Sequence, residues 1–262
     1  NINLSRNVSK VKELADGVDY LFFNGDANFP INVGTRVGHR LGEIYAKNLY
    51  KRDENGNMIV NKQGRPTKVS GEDAFQYTLD HPIGNIEPDL LMSVSPSFTY
   101  KGFTLSALFD MKFGGDIVSV SEAMATSTGL AARTANRGNA ENGWKIVAPG
   151  VTADGTVNST AMNAQRYYTS MSGMAEEFVY DASFIKLKEL SLGYSFPKSI
   201  LKKTPLTSLN VAFVARNLAY LMKHTPRTSP EGGYDTSMFS QAIDYMSVPY
   251  TRTFGLSINL GF

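Results

Sequence analysis

The chain has 262 residues, 26 Lys and Arg against 24 Asp and Glu for a net charge of +2, and no Cys. That balance gives no electrostatic reason to expect a nucleic-acid partner, and the missing thiols exclude a disulfide-stapled fold and a thiolate metal site. Mean hydropathy is −0.21, and no run of about 18 apolar residues occurs, which excludes a helical membrane protein.

From the amino end, Asn1 to Asn7 reads as the end of a strand and residues 8–30 as a loop. Pro30 to Val37 and Leu41 to Tyr50 read as two strands around Gly34, Gly38 and Gly42. Residues 51–88 follow as a loop with turns at Asn55-Gly56 and Gln63-Gly64. A strand over 89–100 then sets Leu90, Met92, Val94, Pro96, Phe98 and Tyr100 against Ser93, Ser95, Ser97 and Thr99. It meets the next through Lys101-Gly102, a two-residue turn whose glycine is free to take positive φ. Over 103–113, Phe103, Leu105, Ala107, Phe109, Met111 and Phe113 oppose Thr104, Ser106, Asp110 and Lys112. Gly114 to Tyr180 is a long loop. The strand after it sets Leu190, Leu192, Tyr194 and Phe196 against Glu189, Ser191, Gly193 and Ser195, and the polar link Lys198 to Pro205 follows. Leu209, Val211, Phe213 and Ala215 then oppose Asn210, Ala212 and Arg216. Tyr220 to Pro249 is a second long loop, broken by Pro226, Pro230, Gly232 and Gly233. In the closing strand Phe254, Leu256, Ile258, Leu260 and Phe262 alternate with Thr253, Gly255, Ser257, Asn259 and Gly261.

Successive strand residues point to opposite faces, so each of these segments has one face suited to lipid and one suited to water. Each is near the ~9–11 residues that a tilted strand needs to cross a bilayer. Long and short connections alternate, as they do in outer-membrane barrels with short periplasmic turns and long outer loops. The reading is all-β: an antiparallel transmembrane β-barrel segment of about eight strands, if the two upstream strands belong to it. The alternative is a soluble extracellular β-sandwich acting as a glycan-binding or adhesive module, whose outward face a second sheet would have to cover. Asn1-Ile2-Asn3-Leu4-Ser5 lacks the basic start and apolar run of a signal peptide, so an outer-membrane destination implies a processed or excised piece.

Chemistry-bearing motifs are nearly absent. His39, His81 and His224 read as having no partner at ligand spacing, so no metal or other cofactor is expected. Asp53-Glu54-Asn55-Gly56-Asn57 looks like a calcium loop, but its glycine is misplaced and Gly64 stands where a Glu should close it, so a turn is expected. Glu176-Glu177 reads as a solvated loop patch. No constellation supports an enzyme.

The segment Asp181-Ala182-Ser183-Phe184-Ile185-Lys186-Leu187-Lys188-Glu189-Leu190-Ser191-Leu192-Gly193-Tyr194-Ser195-Phe196-Pro197 resembles the penultimate block of SusC/RagA-type TonB-dependent transporters of Bacteroidetes. Ala215-Arg216-Asn217-Leu218 is similar to that family's Asn-Leu strand end, Ser229-Pro230-Glu231 to its Asp-Pro-Glu loop element, and Pro249 to Phe262 to its closing strand. Upstream, Ile83-Gly84-Asn85 with Pro88, and Tyr100-Lys101-Gly102-Phe103, resemble the block before the long loop. Ser229 departs from the usual Asp, which puts a charge-dependent role for that loop in doubt. The resemblance implies the C-terminal portion of a larger barrel of about 22 strands, whose plug and first strands lie outside this chain. Such transporters import oligosaccharides or peptides across the cell outer membrane. The partners implied are a SusD-like surface lipoprotein, the remaining barrel and plug, TonB reached through the missing N-terminal part, the barrel assembly machinery and outer-membrane lipid.

Three groups of residues are candidates for function. Asp110, Lys112, Glu189 and Arg216 fall on the lumen-facing side, either pairing across strands or with the plug, or lining a substrate route. Trp144, Tyr167 and Tyr168 in the long loop are candidates for stacking on a sugar or for meeting the lipoprotein, against the simpler expectation that they form the loop's own core. Phe262, a terminal aromatic on an amphipathic strand, resembles the assembly signal of outer-membrane barrels.

Overall fold

The computed structural model describes residues 1–23, 30–234, 237 and 239–262. Its largest sheet is built from the alternating segments: β1 (Ile2–Ser5), β2 (Leu90–Val94), β3 (Ser97–Tyr100), β4 (Phe103–Phe113), β5 (Phe184–Ser195), β6 (Ser208–Lys223) and β7 (Thr253–Gly261). The order is β1-β2-β4-β5-β6-β7, antiparallel throughout, with β3 also pairing β4. Strands β2 and β3 are two halves of one wall strand. Val94 faces Phe109 and Ser97 faces Ser106 in one unbroken register, and Pro96, which has no N–H to give, interrupts the ladder between them.

Consecutive strands are neighbours, so connections fall alternately at the two ends. The short ones are Lys101-Gly102 and residues 196–207; the long ones, 6–89, 114–183 and 224–252, all leave from the other end. Lys101 and Gly102 both have positive φ, at 47° and 88°, the two-residue turn whose twist matches flanking strands. A side chain at Gly102 would sit 3.0 Å from the Ser195 carbonyl oxygen and the Tyr194 ring, so the turn needs glycine.

Registered neighbours share a face, and the register aligns the apolar residues across the whole sheet. Phe103 stands beside Tyr194, Tyr194 beside Val211 and Val211 beside Ile258; Leu105, Leu192, Phe213 and Leu256 form the next row. None of the described residues covers this face: Leu256 is 65% exposed and Phe98 69%. The sandwich alternative needs this face buried against a second sheet, and it is open.

The buried core lies in the long loops. Ile31, Val33, Ile44, Val118, Phe178 and Ile243, drawn from all three, join one cluster. Residues 116–119 pair antiparallel with 179–181 and parallel with 243–244, which ties the second loop to the third. There the buried Ser119 hydroxyl donates to Asp244 at 2.7 Å. Among the described residues three α-helices complete the body: α1 (Glu72–Asp80), α2 (Val120–Ser127) and α3 (Ala164–Met171). Helix α3 starts where the Asn163 side chain accepts from the Arg166 N–H at 3.1 Å, an N-cap. Its buried residues Ala164, Tyr167, Tyr168 and Met171 follow helical spacing.

The fold class is as read, but the upstream strands are placed differently. Residues 31–36 and 43–46 pair with each other and with 20–22 and 84–85 in a separate four-stranded sheet, and 48–50 pairs with 68–70. They cannot be wall strands because both of their faces are buried, with Ile31, Val33, Ile44 and Ala46 inside the loop core. Among the described residues the wall therefore has six crossings, with β2 and β3 counted together. The expected loop over 8–30 contains a strand at Tyr20–Phe22, and its residues 24–29 lie outside the described ones. Strand β6 runs to Lys223, so the third loop begins later than Tyr220.

Candidate functional site

The polar face of the sheet collects charge toward the end from which the long loops leave. Asp110 registers with Lys186 and Lys186 with Tyr220; one step further out Lys112 registers with Phe184 and Phe184 with Lys223. Irregularities interrupt the β5/β6 ladder around Lys188 and Asn217, the latter at φ 54°. The extra residues let Lys188 and Glu189 both find partners on this face. Lys188 donates to Asp110 at 2.7 Å and Arg216 to Glu189 at 2.8 Å.

The third loop folds back onto this face. The Thr225 hydroxyl donates to the Thr228 carbonyl at 2.8 Å, Lys223 Nζ to the same oxygen at 3.2 Å, and the Glu231 N–H to the Ser229 hydroxyl at 3.3 Å. The resulting turn drops Glu231 onto Lys186, which is 3% exposed, with Nζ 2.6 Å from the carboxylate. The Tyr220 hydroxyl donates to the same carboxylate and lies 2.9 Å from the Ser229 hydroxyl. The Lys186 ammonium also sits over the rings of Tyr220 and Tyr250, at 5.2 Å and 4.6 Å. An ammonium this buried is tolerable only with such a set of partners. The loop element that reads Ser-Pro-Glu thus keeps a charged role through Glu231, while Ser229 organises the turn. Lys186, Tyr220, Glu231 and Tyr250 escaped the sequence reading.

Of the four lumen-facing candidates, Asp110 and Lys112 line a cleft of about 360 Å³ together with Phe184, Glu231 and Gly232. Glu189 and Arg216 pair with each other further along the wall. Lys112 pairs through its backbone with Phe184 and Leu91, and its side chain makes no hydrogen bond or ion pair among the described residues.

The aromatic candidates separate in the same way. Tyr167 and Tyr168 are buried in the loop core, edge to face at 5.1 Å, and the Tyr168 hydroxyl donates to the Arg133 carbonyl at 3.1 Å. Burial, with Glu177 nearby, pushes the Tyr167 hydroxyl up to about 12. Trp144 is 50% exposed, with φ 55°, and shares with Tyr168 an open cleft of about 330 Å³ that also meets Arg137, Asn163 and Gln165. Tyr167 is not part of that cleft. Phe262 lies past the end of β7, 81% exposed.

Two lesser readings need correction. Glu176 and Glu177 are staples, the first between two loops and the second within one, and not a solvated patch. Glu176 accepts from the Tyr50 N–H at 2.7 Å and from Arg52 at 2.9 Å, and Glu177 accepts from Arg133 at 3.2 Å. The histidines do have carboxylate neighbours: His39 Nδ1 is 3.1 Å from Glu43, four residues on, and His224 Nδ1 is 2.5 Å from Asp181. Each is a single pair, and no group of three metal-ligating side chains occurs among the described residues. Asp53 forms a turn, accepting from the N–H groups of Asn55 and Asn57 at 3.0 and 2.7 Å. The bonds from Asn57 hold its carboxyl below the usual carboxylate range.

No protein-family model matches the chain. It is 27% identical to TonB-dependent receptor P3 of Formosa agariphila over 278 aligned positions, which cover 99% of this chain and 26% of that receptor. It is also 27% identical to TonB-dependent receptor SusC of Bacteroides thetaiotaomicron over 209 positions, 74% of this chain and 18% of that receptor. In fold it matches the RagAB peptide importer in its open-open state with a TM-score of 0.61 at 19% identity, covering all of this chain and 26% of that one. The chain thus spans about a quarter of the length of receptor P3 and of the RagAB chain. In sequence and in fold it resembles SusC/RagA-type TonB-dependent receptors.

Proposed function

We propose that this chain is a stretch of barrel wall, with its outer loops, from a TonB-dependent importer of nutrients in the outer membrane, and specifically its C-terminal part. The observation that carries this reading is the division of labour in the sheet. One face is apolar and uncovered from β1 to β7, the other is polar, and every long loop leaves from one end. The free edges of β1 and β7 would continue into the remaining strands, which closes a barrel and removes both edges. The polar face then borders the lumen and the plug, and the plug side provides the coupling to TonB. The loop body, with its own core, would stand over the outer mouth and meet a SusD-like surface lipoprotein. Phe262 would serve the barrel assembly machinery as a recognition residue in a receptor that closes on this strand.

We take the cargo to be an oligosaccharide or a peptide, the classes that the family resemblance implies; one structural neighbour is a peptide importer by name. Nothing in the arrangement calls for a catalytic step. Within the wall, we read Glu189 and Arg216 as a structural cross-strand pair, and Asp110 and Lys112, which share an open cleft with Glu231, as the better candidates for bordering the route. Cells expressing the full receptor and its lipoprotein, given a mixed oligosaccharide pool or a tryptic peptide pool, should take up one of the two. That uptake should need TonB and should disappear when residues 253–262 are deleted. Uptake of neither pool by a receptor present in the outer membrane would overturn the proposal.

A further inference from the structure

We infer that the polar face of this wall, toward the end from which the long loops leave, carries an oxyanion site, a small cleft that takes a carboxylate-bearing ligand. The cleft, about 160 Å³, lies between the irregular stretch of β6 at Asn217 and the chain entering β7 at Arg252. That is room for one carboxylate-bearing ring or side chain. Among the described residues four of its lining side chains are cationic, Lys186, Lys223, Arg227 and Arg252, and none is a carboxylate. Glu231, just outside the lining, neutralises Lys186. Lys223 has only the Thr228 carbonyl as an acceptor, and Arg227 and Arg252, exposed at the rim, make no hydrogen bond or ion pair among the described residues.

A second observation points the same way. Thr228 lines the cleft, and its hydroxyl oxygen is buried without a hydrogen-bond partner among the described residues, so a rotation of this one side chain would bring an unspent donor into the cleft. Unpaired cations of one sign in a concave, partly desolvated place raise the local concentration of anions. Guanidinium forks match the two oxygens of a carboxylate in a way an ammonium does not. Nearby, Lys188 and Asp110 cancel each other, so the residual positive charge belongs to the cleft. The inference rests on reading this wall as an import route and narrows the cargo to one that bears an acidic group.

The test is titration of the detergent-purified full-length receptor at low salt with D-glucuronate and with D-glucose, which differ in the carboxylate. Glucuronate should bind at least roughly tenfold more tightly and lose affinity as salt rises. The Arg227→Gln/Arg252→Gln variant should lose that advantage while keeping the heat-modifiable mobility of a folded barrel. Equal affinities for the two sugars, or an unchanged glucuronate affinity in the variant, would overturn the site. Loss of co-purifying lipopolysaccharide phosphate from the variant, with glucuronate affinity unchanged, would give these cations to lipid and overturn it too. Gel mobility reports the barrel independently of any ligand. Failure of the cleft with mobility intact leaves the import reading standing, whereas absence of the shift in the unmodified receptor defeats that reading itself.

Discussion

Substituting Glu231 with Gln should release the third loop from the wall. Lys186 is 3% exposed, and its ammonium has one anionic partner, Glu231, at 2.6 Å, with the rings of Tyr220 and Tyr250 as its remaining support. Removing one member of a buried ion pair costs about 3–5 kcal/mol, because the other charge stays desolvated. The two rings retain some of this, at about 0.5–2 kcal/mol per cation–π contact, and the substituted amide can still accept a hydrogen bond. The docked state of the loop should therefore weaken by about 2–3 kcal/mol, or roughly 30- to 150-fold in its opening equilibrium. Hydrogen exchange in the full receptor reads this directly, as faster exchange over residues 225–233 with unchanged protection in β4 and β7. The Lys186→Met/Glu231→Met pair should recover most of the protection, since replacing both partners with apolar groups avoids the orphaned charge. Unchanged exchange in Glu231→Gln would refute the argument, and so would a double variant that is worse than the single one.

The two faces of β7 make opposite demands on a charge. Leu256→Arg should cost roughly 2–4 kcal/mol and lower the yield of heat-modifiable receptor, while Ser257→Arg on the inner face should be tolerated. In the loop body, Tyr167→Ala removes a buried ring from the core and should cost about 3–5 kcal/mol, seen as faster proteolysis of residues 114–183. Trp144→Ala should leave that rate unchanged, because Trp144 lies on an open cleft and not in the core. Burial raises the carboxyl of Asp116 above its ordinary value despite the bond it accepts from the Asn85 N–H at 2.9 Å. A raised acid gives stability that is complete below its unfolded value of about 3.9 and lost as pH rises through the folded value. Asp116→Asn should then protect the loop body more than the native residue near pH 7 and no more than it below about pH 4. A gain of equal size at both pH values would contradict this cause.

What the sequence revealed and what it concealed follow from the range of the interactions. The limits of β4 at Phe103 and Phe113 and the Lys101-Gly102 turn were legible, because alternation and turn geometry are local properties and lipid on one side enforces strict periodicity. Residues 31–36 and 43–46 were misplaced because an apolar run punctuated by glycines looks the same in a loop core as in a wall. Only their pairing with 20–22 and 84–85 tells them apart. The dyad Tyr167-Tyr168 could have been assigned to a helix face, since Ala164 and Met171 complete the spacing and Asn163 caps it. The Lys186–Glu231 pair could not have been found, because its members are 45 residues apart and meet only after the third loop turns back. Glu176 and Glu177 looked solvated for the same reason, their partners Arg52 and Arg133 lying on other stretches of the loops.

The central claim is that the uncovered apolar face of β1 to β7 meets lipid. The direct measurement is partition of the full receptor between membrane and soluble fractions, followed by electrophoresis of the membrane fraction with and without heating. The account expects membrane location and a band that shifts on heating, as a closed barrel unfolds. A soluble, monodisperse product whose mobility ignores heat would contradict it, because the exposed rows of Phe, Leu and Ile would then have to be covered by protein instead of lipid.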